Sequence, residues 1–216
     1  MLPLSDSQRE MLEEAVTSYQ RAVSAEVARY LLDRGISRDA AVMFRLGYVA
    51  EPAPGHEHVR GRLAIPYLGH DDRVLSIRFR CLRPHNCKEV GCPKYLSLVD
   101  EPTRLFNVRA IHEAGDEIHT TEGELDAIIL NMVGLPACGW AGVNAWSPYH
   151  RRMLAGFSRV WHWGDPDAAG SELTNKVTRA LPGAKAVRLR DGDVTETYLL
   201  HGKQGLLDLI STEGVN

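Results

Sequence analysis

Two short acidic segments hold the residues best suited to chemistry. Glu122 and Asp126 lie in Thr121-Glu-Gly-Glu-Leu-Asp126, after the run that starts at Glu117. Asp165 and Asp167 lie in Gly164-Asp-Pro-Asp-Ala-Ala-Gly170, after Arg159-Val-Trp-His-Trp163. Each cluster falls where a strand should end and a helix should begin. In an open α/β sheet that edge is where ligands bind. A glutamate from one strand and an Asp-x-Asp from a nearby strand can therefore share one divalent cation through hard oxygen ligands. Taken singly, the acids have plainer uses: Asp167 as an N-cap, Asp165 as turn chemistry, Glu122 as a favourable charge at a helix start. Their coincidence favours the shared site.

A second group of ligand-type residues is Cys81-Leu-Arg-Pro-His85-Asn-Cys87-Lys-Glu-Val-Gly-Cys92. Cys₃His is an accepted zinc set. The spacing C-x₃-H-x-C-x₄-C is more cramped than paired C-x₂-C knuckles, so a Zn²⁺ site and a reduced cysteine-rich loop both stand as readings. Cys138, inside Pro136-Ala-Cys-Gly-Trp140, reads as core. Arg62, Arg80 and Lys94 flank the cysteine loop and are the candidates for nucleotide or template phosphates, because arginine forks match phosphate oxygens. Arg78 reads as a surface residue. His119 and His162 fall inside strands and read as satisfied core histidines, and Trp161 and Trp163 share one strand face as core.

The elements that must carry these residues follow from periodicity. Ser7-Gln-Arg-Glu10 reads as a capping box opening a helix with Leu12, Ala15, Val16, Tyr19 and Val23 on one side. A second helix spans 25–33 and ends at Gly35; a third opens at Ser37 and closes near Gly47. Residues 51–61, with two prolines and two glycines, form a linker. Strands follow at 62–68 and 73–82 around the hairpin signal Gly69–Asp72. Leu75, Ile77 and Phe79 should face one way and Ser76, Arg78 and Arg80 the other. From 117 onward strands at 117–122, 135–139, 159–164 and 184–190 alternate with helices, which argues for a parallel sheet covered by helices. Three segments are expected: a helical 1–50, a basic strand-rich 51–112 with the Cys/His loop, and an α/β domain over 113–216.

Composition sets few limits. The chain has 216 residues, 44% apolar and 25% charged, with 25 basic against 28 acidic side chains, enough for a real core and for patches of both signs. Met-Leu-Pro-Leu-Ser-Asp turns polar too early for a signal peptide. No apolar run approaches the roughly 18 residues of a membrane span. A cytosolic protein with no membrane partner is expected.

The acidic pattern resembles the TOPRIM domain of DnaG-type primases, topoisomerases and some nucleases, which carry a glutamate after their first strand and Asp-x-Asp after their third. Asp126 is similar to the family's follow-on acid. Asp193, in Arg190-Asp-Gly-Asp-Val-Thr-Glu196, is similar to the later acidic turn of the primases. Arg60-Gly-Arg-Leu-Ala-Ile-Pro66, Ile77-Arg-Phe-Arg80, Pro93-Lys-Tyr-Leu-Ser97 and Tyr30-Leu-Leu-Asp-Arg-Gly-Ile36 resemble the DnaG polymerase core, its phage members above all. The likeness spans about residues 10–200. It implies a TOPRIM-type parallel sheet flanked by helices, preceded by a smaller mixed α+β basic subdomain. It also implies a primase making short RNA on single-stranded DNA from ribonucleoside triphosphates, in the cytoplasm of a bacterial host if phage-encoded. Glu122, Asp165 and Asp167 would hold Mg²⁺ or Mn²⁺, with Asp126 and Asp193 orienting or completing that site. No cysteine precedes residue 81 and no G-x-x-x-x-G-K-[ST] occurs, so a replicative helicase or a separate zinc-ribbon subunit would be a partner. A TOPRIM nuclease and a non-catalytic nucleic-acid-binding module are the alternatives. The basic segment 60–97 favours the primase over the first, and the clustered like charges argue against the second.

Overall fold

The computed structural model describes residues 4–98 and 101–213. Met1, Leu2 and Pro3, the start of the stretch read for a signal peptide, lie outside the described residues. The chain divides into two compact units, residues 1–33 with 37–102 and residues 34–36 with 103–216. The N-terminal helices do not form a segment of their own, because the first lays its apolar stripe on the following sheet.

The first unit runs α1 (Asp6–Arg21), α2 (Ala25–Asp33), α3 (Arg38–Met43), β1 (Gly47–Tyr48), a 3₁₀ turn at Glu57–Val59, β2 (Arg62–Leu68), β3 (Val74–Cys81) and β4 (Tyr95–Ser97). Ser5, not Ser7, caps α1: its Oγ accepts the Gln8 N–H at 3.3 Å while Gln8 Oε1 accepts the Ser5 N–H at 2.9 Å. Ser5-x-x-Gln8 is the same reciprocal box placed earlier in the chain. α3 starts at its Ser37 cap but stops short of Gly47, where Arg45 turns left-handed at φ 54° and the Leu46 N–H returns to the Ala41 carbonyl.

The sheet order is β1-β2-β3-β4, all antiparallel, with Leu63 opposite Arg80 and Phe79 opposite Leu96. Leu12, Ala15, Val16 and Tyr19 of α1 join Ala64, Val74, Ile77 and Phe79 in one core. Tyr19 reaches further: its hydroxyl pairs with His56 Nδ1 at 2.7 Å and accepts the Ala53 N–H at 3.0 Å, tying down the Pro/Gly-rich segment 51–61. Pro66 sits on β2 beyond the last β1 pairing, Gly47 with Ala64, where a missing N–H costs no ladder bond. On the second face of β3, Ser76 and Arg80 are buried.

The second unit runs α4 (Arg109–Glu113), β5 (Glu117–Thr121), α5 (Glu124–Met132), β6 (Ala137–Gly139), α6 (Pro148–Leu154), β7 (Arg159–Trp163), α7 (Ala168–Ala180), β8 (Ala184–Val187) and α8 (Val194–Glu213), which departs from helical geometry at Gly202. Its four strands are parallel in the order β6-β5-β7-β8 and flanked by helices. Ile118, Val160, Cys138, Trp140, Leu173 and Val177 anchor its core. The buried indole N–H groups are satisfied within it, whereas Nε2 of His150 and of His162 is buried with no partner, so these two histidines are only partly satisfied. Trp163 Nε1 donates to His119 Nδ1 at 3.0 Å, Trp161 Nε1 to Glu117 at 2.7 Å, and Trp140 Nε1 to His150 Nδ1 at 3.3 Å. His162 Nδ1 pairs with the Thr120 hydroxyl at 3.1 Å. Among the described residues no helix is long and apolar enough to cross a membrane.

Burial pulls His119 and His150 down to about 4 and His162 to about 3, so all three fold as neutral rings. A depressed histidine contributes stability that is fully present above the unfolded value of 6.5 and is lost as pH falls toward the folded value. The histidine contribution to stability is therefore expected to be level above pH 7 and to fall between about pH 6.5 and 4, by roughly 3 kcal/mol for a ring taken from 6.5 to about 4, while Asp126, raised to about 7, changes stability in the opposite sense over that range. His119→Asn, whose amide oxygen still accepts from Trp163 but does not titrate, should flatten that fall in calorimetry across the same range. An unchanged slope would remove His119 from the account.

Candidate functional site

β5 leads through α5 to β6 on one side, whereas β7 leads through α7 to β8 on the other. Two neighbouring strands whose connections depart in opposite directions leave a crevice at their carboxyl ends, the preferred ligand position of a parallel sheet. Thr121 and Trp163 are the paired last residues of β5 and β7; Glu122 follows Thr121 directly, and Asp165 follows Trp163 after Gly164. The register alone therefore brings the two acidic segments together.

Glu122 is buried, and its Oε1 accepts the Asp165 N–H at 2.7 Å. Burial pushes its carboxyl above the usual range, the Asp165 N–H pulls it back, and the charges of Asp167 and Asp126 push it up again. Asp126, in the first turn of α5, is pushed up to about 7, by burial of its carboxyl first and the charge of Asp193 next. The Thr195 N–H and hydroxyl both donate to Asp126 Oδ1, at 3.1 and 2.8 Å. Asp167 does serve as the N-cap of α7, its Oδ1 accepting the Gly170 N–H at 2.7 Å. Asp193 exchanges two bonds with Glu196 where α8 begins, at 2.8 and 3.0 Å. Glu122 feels the charges of Asp167 and Asp126, and Asp126 those of Asp193 and Asp165, so the five acids gather around the starts of α5, α7 and α8.

Two residues of this site carried no chemical signal in the sequence. Thr195 is visible only as part of the acidic turn 190–196. Gly170 is there because nothing larger fits: a Cβ on it would lie 2.3 Å from Glu122 Oε1 and 2.3 Å from the Asp165 carbonyl oxygen.

The basic candidates meet at one end of the antiparallel sheet, where Arg62 is opposite Cys81 and Arg80 opposite Tyr95. Arg80 is buried, its Nε donating to the Tyr30 hydroxyl at 2.7 Å and its Nη1 to the Tyr95 hydroxyl. Arg78 lies 4.4 Å over the Tyr95 ring. Arg62 donates through Nη1 to the Pro93 carbonyl at 2.8 Å, and Lys94 is exposed. Beside them the ligand atoms of Cys81, His85, Cys87 and Cys92 all lie within 4.8 Å of one another. Among the described residues this is the group gathered to the dimensions of one ion; the carboxylates are spaced more widely. Cys138 is buried away from it, its Sγ 3.3 Å from the Asn107 carbonyl, and burial pushes its thiol up.

No family model matches the chain. It is 33% identical over 156 residues to the gene 57 protein of Mycobacterium phage D29, covering 70% of this chain and 99% of that one. The zinc-binding and RNA polymerase domains of the Aquifex aeolicus primase superimpose with a TM-score of 0.80 at 20% identity, over 97% of this chain and 62% of that one. A DnaG primase catalytic domain bound to single-stranded DNA gives 0.75 at 19% identity, over 94% and 78%.

Gly170→Ala is expected to lower stability by about 1–3 kcal/mol, because the methyl must displace the Glu122 carboxylate or the Asp165 backbone. Gly115→Ala, which meets nothing within 4 Å, should stay within about 0.5 kcal/mol of wild type. Urea midpoints of the two variants side by side check this; equal midpoints would mean that the contact yields without cost.

Proposed function

The chain belongs to the family of the phage D29 gene 57 protein and has the fold of DnaG primase catalytic cores, and from that premise we propose that it synthesises short RNA primers on a single-stranded DNA template. The observation that carries the reading is the Glu122–Asp165 bond at the carboxyl edge of β5 and β7, with Asp126, Asp167 and Asp193 in electrostatic reach. It is the TOPRIM arrangement of acids. Hard oxygens that raise one another's proton affinity fit Mg²⁺ or Mn²⁺, which Glu122, Asp165 and Asp167 would hold. When bound, the ion supplies charge neutralisation for phosphoryl transfer.

The protein's own groups have distinct tasks in this reading. The Asp165 N–H fixes Glu122, and Thr195 fixes Asp126, so the acids are oriented before any ligand arrives. The 3′-hydroxyl of one ribonucleotide attacks the α-phosphate of the next, and pyrophosphate leaves. Arg62 and Lys94 contact the triphosphate or the template backbone. Arg80, whose guanidinium is occupied by Tyr30 and Tyr95, is a positioning residue that acts through Tyr95. A replicative helicase or a zinc-ribbon subunit would be a partner, in the cytoplasm of the host bacterium.

The decisive assay is primer synthesis from labelled ribonucleotides on single-stranded DNA, without a pre-existing primer, in Mg²⁺ and in Mn²⁺. Wild type should give short RNA and Glu122→Gln and Asp165→Asn none, since the Gln amide oxygen can still accept the Asp165 N–H while the charge is lost. Metal-dependent cleavage of the DNA in place of RNA would assign a nuclease, and DNA binding alone a non-catalytic module. Lys94→Ala should weaken template binding and reduce its salt slope by about one.

A further inference from the structure

The loop between β3 and β4 is held by turn hydrogen bonds, such as Lys88 N–H to Asn86 Oδ1 at 3.1 Å, and by no regular secondary structure. Residues 82–94 form no helix or strand, and β4 is joined to β3 by only the pairs Arg78–Ser97, Phe79–Leu96 and Arg80–Tyr95. Yet four ligand-type side chains converge in it. Cys81 Sγ lies 3.7 Å from Cys92 Sγ and 3.8 Å from His85 Nε2. A tetrahedron built on metal–sulfur bonds of about 2.3 Å has edges of roughly 3.8 Å. A disulfide would need about 2.05 Å. The cluster therefore has the size of a metal coordination shell and not that of a bond between two of its members.

We propose that Cys81, His85, Cys87 and Cys92 bind one Zn²⁺ as a closed, structural site. Four protein ligands fill a tetrahedral shell and leave no open position, which separates structural from catalytic zinc. Three thiolates and a neutral imidazole select zinc over the hard cations that carboxylates prefer. The cramped spacing is resolved by the backbone. Gly91 turns left-handed at φ 65° immediately before Cys92, and the Cys92 N–H closes onto the Cys87 carbonyl at 2.9 Å, so both thiols return to Cys81.

The surroundings suit the charge. Three thiols lose their protons on binding, which leaves the zinc-bound shell with one net negative charge. Arg62 supplies the countercharge, its Nη2 standing 3.7 Å from Cys92 Sγ while Nη1 holds the Pro93 carbonyl. Hydrogen bonds and charges of this kind on ligating atoms tune metal affinity. The Cys81 N–H meanwhile donates to the Lys94 carbonyl at 2.9 Å, so the site closes directly onto the start of β4. Zinc here fixes the strand whose Tyr95 holds Arg80, and with it Arg62 and Lys94.

The test measures metal, not activity. The full chain, purified under reducing conditions without chelator, should contain one zinc per molecule by mass spectrometry of the metal. Titration of the zinc-stripped chain with Co²⁺ should give the intense visible bands of a tetrahedral thiolate site. Cys87→Ser and His85→Ala should each weaken Co²⁺ binding at least about tenfold, whereas Cys138→Ala should keep the full zinc content. Circular dichroism of each variant separates loss of the site from loss of the fold. A wild-type chain without zinc that also fails to give the cobalt spectrum overturns the proposal, as does a Cys87→Ser variant that binds Co²⁺ as wild type does.

Discussion

Glu122 buries a carboxylate where two parallel strands end, and an acid in that position must be satisfied by the backbone around it. The Asp165 N–H meets this need, and much of the local architecture exists to present it. β5 and β7 must be neighbours, so β7 crosses to the far side of β5 from β6. The turn after Trp163 must come close, so residue 170 can carry no side chain. The helix after that turn needs a cap, and Asp167 provides it while keeping its charge beside Glu122. One buried hydrogen bond thus ties strand order, turn composition and helix start to one another.

The parallel sheet was legible because its strands read as short apolar runs, each followed by an acid or a glycine and then a helical period. Their order was not, since periodicity says nothing of which strands pair. Asp167 shows why a site can be read in two ways at once: it is both a cap and a member of the charge cluster, and the two uses share one carboxylate. The misplaced cap of α1 has a simple origin, because two serines two residues apart each stand three residues before a Gln or Glu. The place of the N-terminal helix was hidden for another reason. A helical period marks α1 as a helix with an apolar face but does not name the surface that covers it, and that surface is the antiparallel sheet.

The same limit applied to Arg80. Alternation put Arg78 and Arg80 together on one strand face, which made Arg80 a candidate for phosphate and Arg78 a surface residue. Tyr30 and Tyr95 come from distant stretches of chain and convert that face into a buried polar contact. A buried guanidinium needs partners for its donors, and two phenol hydroxyls supply them without a counter-ion. The arginines of the sheet edge therefore divide into one that holds the frame and others that remain near its rim.

All four tryptophans of the chain belong to the second unit, and three of its four cysteines belong to the first. Tryptophan fluorescence therefore reports on the parallel-sheet unit alone, with the N–H groups of Trp163, Trp140 and Trp161 bonded to His119, His150 and Glu117. Thiol labelling reports chiefly on the other unit, through a loop whose cysteines are only partly covered, while Cys138 stays silent until the second unit opens. The chain thus carries two separate optical and chemical clocks, and whether its halves unfold as one transition or two can be read without adding any probe.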